Sequence, residues 1–578
     1  MASSSAERKR WSWTAFADPG DQTLVLLSIV IGVLVGLVVV AFFLVIEGLA
    51  ERLYPAESAS WRRLLIPFFG ALISGYLLHR YFPSARGSGV PQAKEALFIK
   101  NGYIGTKTVI GKFVCCSVSL ASGIALGPEG PSVQIGAGIA SVVGRRFGLG
   151  PRQVRALLPV GCAAALAAAF NTPIAAVLFA LEEILGDFHA PVLGAAVLSS
   201  ATSWMVLHLF LGDQPLFHTP AYKLVHPAEF GVYAVLGVVG GLGSACLIKV
   251  LLKLKDWFSR LPKNTLWFQP GMGGLVMGIA GFFVPGVLGI GFKYVDRVLN
   301  GDFPFETVLL LGLMRIVLTP VCYASGNAGG ILGPSLFVGA MLGGAVGGAA
   351  HTLLPAITAN PGAYALVGMG AAFAGIVRVP MTSVIMIFEM TRDYTIIVPL
   401  MIANMISFVI SRVLQPEPIY EPLGPQEGLA PLAHESCSNP AVARVGEIMD
   451  REAWPLEETM DAASAKAFLE SAGAMAWPIG EGRIVKGVVS GIQLEKAASP
   501  DMTLAEIVAE QPEFPHAHID HQASYALDRM RGEGIDMLPV VSRTNIHELL
   551  GVVTLSHVLA SYGLSSAGLS ATWIPDVR

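Results

Sequence analysis

The sequence is poor in charge. Only 14% of its 578 residues are Asp, Glu, Lys or Arg, against 53% hydrophobic. A soluble globular chain carries roughly a quarter charged residues, so the deficit argues for a membrane protein. Positive charge is nowhere concentrated. The net charge is −4 and no long basic run occurs, so nothing suggests a nucleic-acid partner. Cysteine is scarce as well. Cys115, Cys116, Cys162, Cys246, Cys322 and Cys437 are scattered, mostly within apolar segments. They show neither metal-ligand spacing nor a disulfide framework, and they read as small core residues. The apolar stretches also lack a His-x-x-x-His, a Glu-His cluster or a nucleophile–base pair. An enzyme anchored in a membrane, such as a metal-dependent hydrolase, is therefore not expected.

What the sequence has instead is long uncharged runs. Gln22 to Ile46 is 25 residues without a formal charge. That is enough to cross a hydrocarbon core of about 30 Å with some tilt. The run is too long, and follows too long a polar head, for a signal peptide. Ala156 to Leu181 is a second such run. Between Arg315 and Arg378 lie 62 residues with no formal charge apart from His351. A stretch of that length holds more than one membrane element. Gly329, Gly330, Gly333, Pro334, Pro355 and Pro361 break it into short, interrupted helices. Broken helices at membrane depth are tolerated where protein or a cavity satisfies the freed backbone groups, which points to a transporter or channel. Arg8, Lys9 and Arg10 precede the first span and predict a cytoplasmic N-terminus. After about Tyr420 charged residues return at soluble density. Trp454 to His557 reads as short strands and amphipathic helices.

The membrane part repeats itself. Gly130 to Gly144 (GPSVQIGAGIASVVG) matches Gly333 to Gly347 (GPSLFVGAMLGGAVG) at seven of fifteen positions, with an offset of 203. Downstream, NTPIAAVLFALEE from Asn171 matches RVPMTSVIMIFEM from Arg378 at an offset of 207, pairing Pro173 with Pro380 and Glu182 with Glu389. Gly/Ala-rich helices resemble one another by chance, but not two motifs in the same order at nearly one offset. Repeats with Gly/Pro-interrupted segments at corresponding places point to a binding site near mid-membrane. The tail has its own repeat. Gly473 to Ser490 contains Pro478 and then Gly487-Val488-Val489-Ser490. Gly534 to Thr554 contains Pro539 and then Gly551-Val552-Val553-Thr554. Each predicts a helix, a strand entered at the proline, a turn, a second strand and a closing helix.

Three motifs could hold an anion: Gly87-Ser88-Gly89-Val90-Pro91, Gly127-Pro128-Glu129-Gly130-Pro131 and Gly329-Gly330-Ile331-Leu332-Gly333-Pro334. Each places glycine and proline just before an apolar helical run. A helix N-terminus presents unpaired N–H groups and the positive end of its dipole. Several such ends converging at mid-membrane would bind an anion without a full charge that would trap it. Ser88 adds a hydroxyl donor. Taken singly, each motif also reads as plain capping and tight packing. Glu129, framed by Gly and Pro beside an apolar run, is an intramembrane ionisable residue and hence a functional candidate. Glu182 and Glu183 end another apolar run. Neighbours on a helix point about 100° apart, so the two cannot serve one path. Capping or interfacial pairing suits Glu182, whose repeat mate is Glu389.

These motifs, in this order, resemble the CLC family of chloride channels and proton–chloride exchangers. The match runs from about residue 25 to Tyr420 and includes GSGVP, GPEGP, NTPIAAVLFALEE, GGILGP and Pro418-Ile419-Tyr420. The resemblance implies an all-α, multi-pass membrane protein with inverted repeats and many short broken helices. It implies chloride transport, proton-coupled exchange rather than the alternative passive channel, and a homodimer with one pore per subunit. It also assigns roles to residues. Ser88 and Tyr420 correspond to hydroxyl ligands of the anion. Gly130, Ile331 and Leu332 fall where the backbone lines the chloride site. Glu129 corresponds to the gating glutamate that competes with the anion and takes up a proton. Glu183 corresponds to the internal proton-transfer glutamate of exchangers. One departure stands out: Pro128 occupies a position that is commonly basic, which should weaken the field at the outer site. The tail resembles a tandem pair of CBS domains, α/β regulatory modules that often bind adenine nucleotides. Gln493 and His557 stand where such modules often carry an Asp for the ribose, so a nucleotide site and a purely structural tail are both open. The expected organisation is a cytoplasmic N-terminus (1–20), a transport domain (21–421, with repeats near 24–210 and 230–414), a linker (422–436) and a CBS-like tail (437–578). Both termini are expected in the cytoplasm, with the chain embedded in the lipid of the cell membrane and chloride and protons as its partners.

Overall fold

The computed structural model describes residues 19–55, 59–188, 192–213, 215–217, 222, 224–426, 444–472, 474–495, 497, 499, 501–508 and 514–561. Arg8, Lys9 and Arg10, Cys437 and most of the expected linker lie outside the described residues. Contacts divide the chain into two compact units, Met1–Leu432 and Ala433–Arg578.

The first unit is helical. In chain order it contains α1 (Pro19–Leu53), α2 (Ser60–Arg80), α3 (Val90–Phe98), α4 (Thr106–Ala121), α5 (Glu129–Arg146), α6 (Pro151–Phe170), α7 (Pro173–Phe179) and α8 (Leu193–Leu211). It continues with α9 (Glu229–Ser259), α10 (Gln269–Phe283), α11 (Phe292–Leu299), α12 (Phe305–Ala324), α13 (Leu332–Leu353), α14 (Pro361–Val377), α15 (Pro380–Thr391), α16 (Ile397–Leu414) and α17 (Tyr420–Gln426). Among the described residues seven helices are long and apolar enough to cross a membrane, in α1, α6, α8, α9, α12, α13 and α16. In α1, Ile31, Val35, Val39, Phe42 and Ile46 are buried along one stripe, while Leu34, Leu37, Leu44 and Val45 are exposed. A helix apolar all round, buried on one side only, has hydrocarbon as the solvent of its other side. The long charge-free stretch resolves into the end of α12, then α13 and α14. Its breaks fall at 325–331 and 354–360, where the glycines and prolines predicted them, although Gly333 and Pro334 lie inside the first turn of α13. Cys115, Cys116, Cys162 and Cys322 are buried as expected, but Cys246 is exposed on α9.

The repeats are joined reciprocally. Gly127 N–H donates to Gly330 O at 2.8 Å and Gly330 N–H returns to Gly127 O at 2.7 Å. These residues are mates at the offset of 203, so the bridge relates the halves by a local two-fold. Packing within each half obeys the same relation. On α5 and α6, a Cβ on Gly136 or on Gly161 would fall 2.3 Å from the other's carbonyl oxygen. On α13 and α14 the mates Gly339 and Gly368 do the same, again at 2.3 Å. Only glycine permits that helix–helix approach. The two halves also cap each other. Glu182 accepts from Met381 N–H (3.3 Å), Thr382 N–H (2.8 Å) and the Thr382 hydroxyl (2.7 Å) at the start of α15. Its mate Glu389 accepts from Ile174 N–H (3.0 Å) and Ala175 N–H (2.7 Å) at the start of α7. Each carboxylate satisfies orphan donors of the opposite half.

The second unit is α/β. It contains α18 (Val445–Ile448), β1 (Leu456–Glu457), α19 (Ala462–Ala472), β2 (Ala476–Glu481), β3 (Ile484–Ser490), α20 (Gly491–Glu495), α21 (Leu504–Ile507), α22 (Ala523–Glu533), β4 (Met537–Val541), β5 (Leu549–Thr554) and α23 (Leu555–Ser561). β1 runs parallel to β2, β2 is antiparallel to β3, and β4 is antiparallel to β5. The tail repeat is exact in register here: Pro478 faces Val488 and Pro539 faces Val552. The strands start two residues earlier than the prolines suggested. Pro539 is tolerated inside β4 because its carbonyl accepts from Ala517 N–H. Its missing N–H points the same way, so the ladder to β5 loses no donor. The expected linker begins as helix, since α17 continues through Gln426.

Candidate anion site

Each of the three Gly/Pro motifs starts a helix. GSGVP opens α3 with Pro91 in its first turn, GPEGP opens α5 at Glu129, and GGILGP opens α13 at Leu332. Backbone contacts bring the three starts together. Gly89 has φ +113, which L side chains rarely adopt, and a Cβ there would lie 2.2 Å from Gly130 O. A Cβ on Gly130 would in turn meet Ser88 O at 2.7 Å and Gly330 Cα at 3.1 Å. The candidate ligands Ser88, Gly130, Ile331 and Leu332 are thus gathered by chain contact, and all are buried. Tyr420, also buried, begins α17, which packs against α3. We expect Gly89→Ala to destabilise the protein by about 2 kcal/mol, because backbone strain and a carbonyl clash act together. A thermal melt within experimental error of the wild type would contradict this close-packed junction.

Glu129 is fully buried. Its Oε2 accepts from Gly333 N–H at 3.1 Å, at the start of α13, and Oε1 has no hydrogen-bond partner. Gly127 and Gly333 leave the space: a Cβ on either would lie within 3 Å of the carboxylate. The Ser88 hydroxyl, also buried, has no partner either. Buried polar atoms are nearly always paired, and two unpaired ones lie at this junction of helix starts. Glu229 makes the contrast. It too is fully buried, but it accepts from Val225 N–H (3.0 Å), Tyr233 OH (3.1 Å), Ala359 N–H (3.2 Å) and Tyr364 OH (2.9 Å). Glu229 is held by four donors, whereas the Glu129 carboxylate accepts from the Gly333 N–H alone among neighbouring segments.

Glu183 is not part of this cluster. It lies in a π-helical turn, Ala180–Leu185, that follows α7. There Glu182 turns to α15, while Glu183 Oε1 meets Lys94 Nζ at 3.0 Å. Lys94 is on α3, the helix that begins beside Ser88, so one helix spans both places.

Three cations escaped the sequence reading. Lys94 is the first. Lys112 is the second: fully buried on α4, it donates to Ala85 O (3.1 Å) and Gly87 O (2.5 Å), fixing the loop that carries Ser88. Arg315, fully buried on α12, is the third. Lys112 and Arg315 stand in mainly apolar helices, and the rule that singled out Glu129 applies equally to them; Lys94 lies beside Glu95 in a more polar one.

Together the fold and this junction define a multi-pass membrane protein built from two inverted halves whose helix starts meet beside Glu129. Residues 69–412 match the voltage gated chloride channel family, and the chain belongs to that family. Residues 496–563 match the CBS domain, so the tail contains one. The chain is 30% identical over 421 residues to the H(+)/Cl(−) exchange transporter ClcA of Vibrio campbellii, a match covering 70% of this chain and 90% of that protein. Among solved structures it resembles a slow cyanobacterial Cl−/H+ antiporter, at 28% identity with a TM-score of 0.65, covering 69% of this chain and 96% of the other. It also has the fold of a eukaryotic CLC transporter, at 20% identity with a TM-score of 0.63, over 92% of this chain and 97% of that one.

Proposed function

We propose that the first unit exchanges chloride for protons across the cell membrane, as the printed names of its relatives say of them, and acts as a transporter and not an enzyme. One observation carries this. The Glu129 carboxylate occupies a helix N-terminus where a small anion would sit, held by a single N–H. A carboxylate that swings away leaves an anion seat, and one that picks up a proton no longer competes for it. On this reading Ser88, Gly130, Ile331, Leu332 and Tyr420 hold chloride, Glu129 is gate and proton acceptor, and Glu183 passes protons to the other face. The unit works as a homodimer, with both termini cytoplasmic. In liposomes a chloride gradient alone should drive protons against their own gradient. If the pH moves no faster than in empty liposomes, the exchange reading is wrong.

The tail regulates or stabilises the dimer without binding nucleotide. Gln493 Oε1 is taken by Ser490 N–H at 2.9 Å, so this side chain caps its own helix instead of facing a ribose. Millimolar ATP should shift the melting temperature of the purified protein by less than about 1 °C. A rise of several degrees would contradict this.

A further inference from the structure

Arg152 and Arg155 stand in the first turns of α6, a helix apolar enough to cross a membrane. Among the described residues neither makes an ion pair. Other cations at this corner are engaged. Lys100 pairs with Glu95 at 2.5 Å. Arg145 donates to Ile104 O at 2.7 Å and lies 4.2 Å from the centre of the Tyr103 ring.

Two cavities meet at the unpaired arginines. One is an open cleft of about 620 Å³, lined by both of them with Asn101, Gly150, Pro151 and Gln153. The other is a groove of about 230 Å³, lined by both of them with Leu97, Phe98, Pro159, Leu185 and Val192. The cleft is polar, and the groove is apolar except for the two guanidinium groups. No carboxylate lines either one. The groove lies between the end of α3, the start of α6 and the π-helical turn that carries Glu183. Backbone packing fixes this corner. Gly102, at φ +78, follows α3, and a Cβ there would lie 2.9 Å from Arg155 N. Ser141 on α5 accepts from Ile104 N–H at 3.0 Å and donates to Gly102 O at 2.5 Å. In the adjoining loops Tyr103, Phe147 and Phe188 are exposed. Exposed aromatic side chains near arginines at the end of a spanning helix suit the level of lipid headgroups.

We propose that this corner binds one anionic phospholipid, with its phosphate on Arg152 and Arg155 and an acyl chain in the groove against Leu97 and Leu185. Guanidinium groups fit phosphate oxygens in bidentate geometry, and the start of α6 adds the positive end of its dipole. The apolar walls favour a lipid over a free phosphate ion, which has no apolar part to bury. The bound chain bridges α3 and the turn after α7, the two segments that the Lys94–Glu183 pair joins at 3.0 Å. The site is independent of which ions the protein moves.

The test is lipid binding to the purified, delipidated full chain in detergent, read by native mass spectrometry. Phosphatidylglycerol and phosphatidylcholine of equal chain length are the probes. Wild type should hold one phosphatidylglycerol about tenfold more tightly than phosphatidylcholine. Arg152→Gln/Arg155→Gln should bring the two lipids within about twofold of each other. Leu185→Trp fills the groove and keeps both charges, and should weaken phosphatidylglycerol about tenfold. Arg146→Gln removes an exposed cation that lines neither cavity, and should change binding by less than about twofold. Equal losses in Arg146→Gln and in the double variant show diffuse attraction and overturn the site. Unchanged binding in Leu185→Trp shows that the headgroup alone is recognised, which overturns the lipid in favour of a free phosphate. If the variants do not fold, photoreactive phosphatidylglycerol on wild type decides. Label concentrated in residues 97–104 and 150–159 supports the site, and label spread over the lipid-facing helices overturns it.

Discussion

Glu129→Gln is expected to abolish chloride-driven proton movement while chloride still crosses. The side chain keeps its size, and its amide oxygen can still accept from Gly333 N–H, as Glu129 Oε2 does at 3.1 Å. It has no charge with which to compete for the anion seat, and it cannot release a proton. Proton flux should fall by about a hundredfold or more, to the leak of empty liposomes. Chloride flux should persist or rise, and should lose its dependence on pH. The variant should melt no lower than wild type, because a buried carboxylate with one orphan oxygen is replaced by a neutral group. Proton pumping retained in Glu129→Gln would remove this residue from the proton path.

Glu183→Gln should give the same loss of proton movement for a different reason, together with a loss of stability. Glu183 lies away from the junction of helix starts, so its replacement should leave chloride under the control of Glu129. Its ion pair with Lys94 measures 3.0 Å, with side chains only 18% and 11% exposed. Removing one partner leaves a largely desolvated cation, at a cost of about 1–3 kcal/mol. Lys94→Met in the same chain removes that cation. The double variant should therefore recover its melting temperature but not its proton flux. Recovery of both would show that Glu183 only holds α3 in place, and no recovery of stability would show that the pair contributes little to the fold.

Much of this protein was legible without coordinates. The charge-free runs located membrane helices, because a segment in hydrocarbon cannot carry charge cheaply. The Gly/Pro motifs located the helix starts, because proline and glycine act locally on the backbone. The two offsets, 203 and 207, located the mates that the fold pairs, and the resemblance carried by those motifs named the family that the comparison then matched at residues 69–412. In the tail the repeated Gly-Val-Val strand was visible, but where each strand begins was not. A proline marks a missing donor without saying which neighbour the donor would have faced.

Other features were decided only by tertiary structure. That Gly127 pairs with its own mate Gly330, and that Glu182 and Glu389 cap each other's halves, follows from a two-fold relation no linear pattern states. That Glu182 and Glu183 diverge follows from any helix, but that one turns to Thr382 of α15 and the other to Lys94 of α3 is set by packing. The hydrogen-bond partners of Lys94, Lys112 and Arg315 lie 25 or more residues away along the chain, in turns and loops that packing brings to them. Local chemistry determined where helices start, stop and avoid charge. Which buried charges meet a partner, and which do not, is a property of the packed arrangement, because a side chain's partners are set by distance in space and not by distance along the chain.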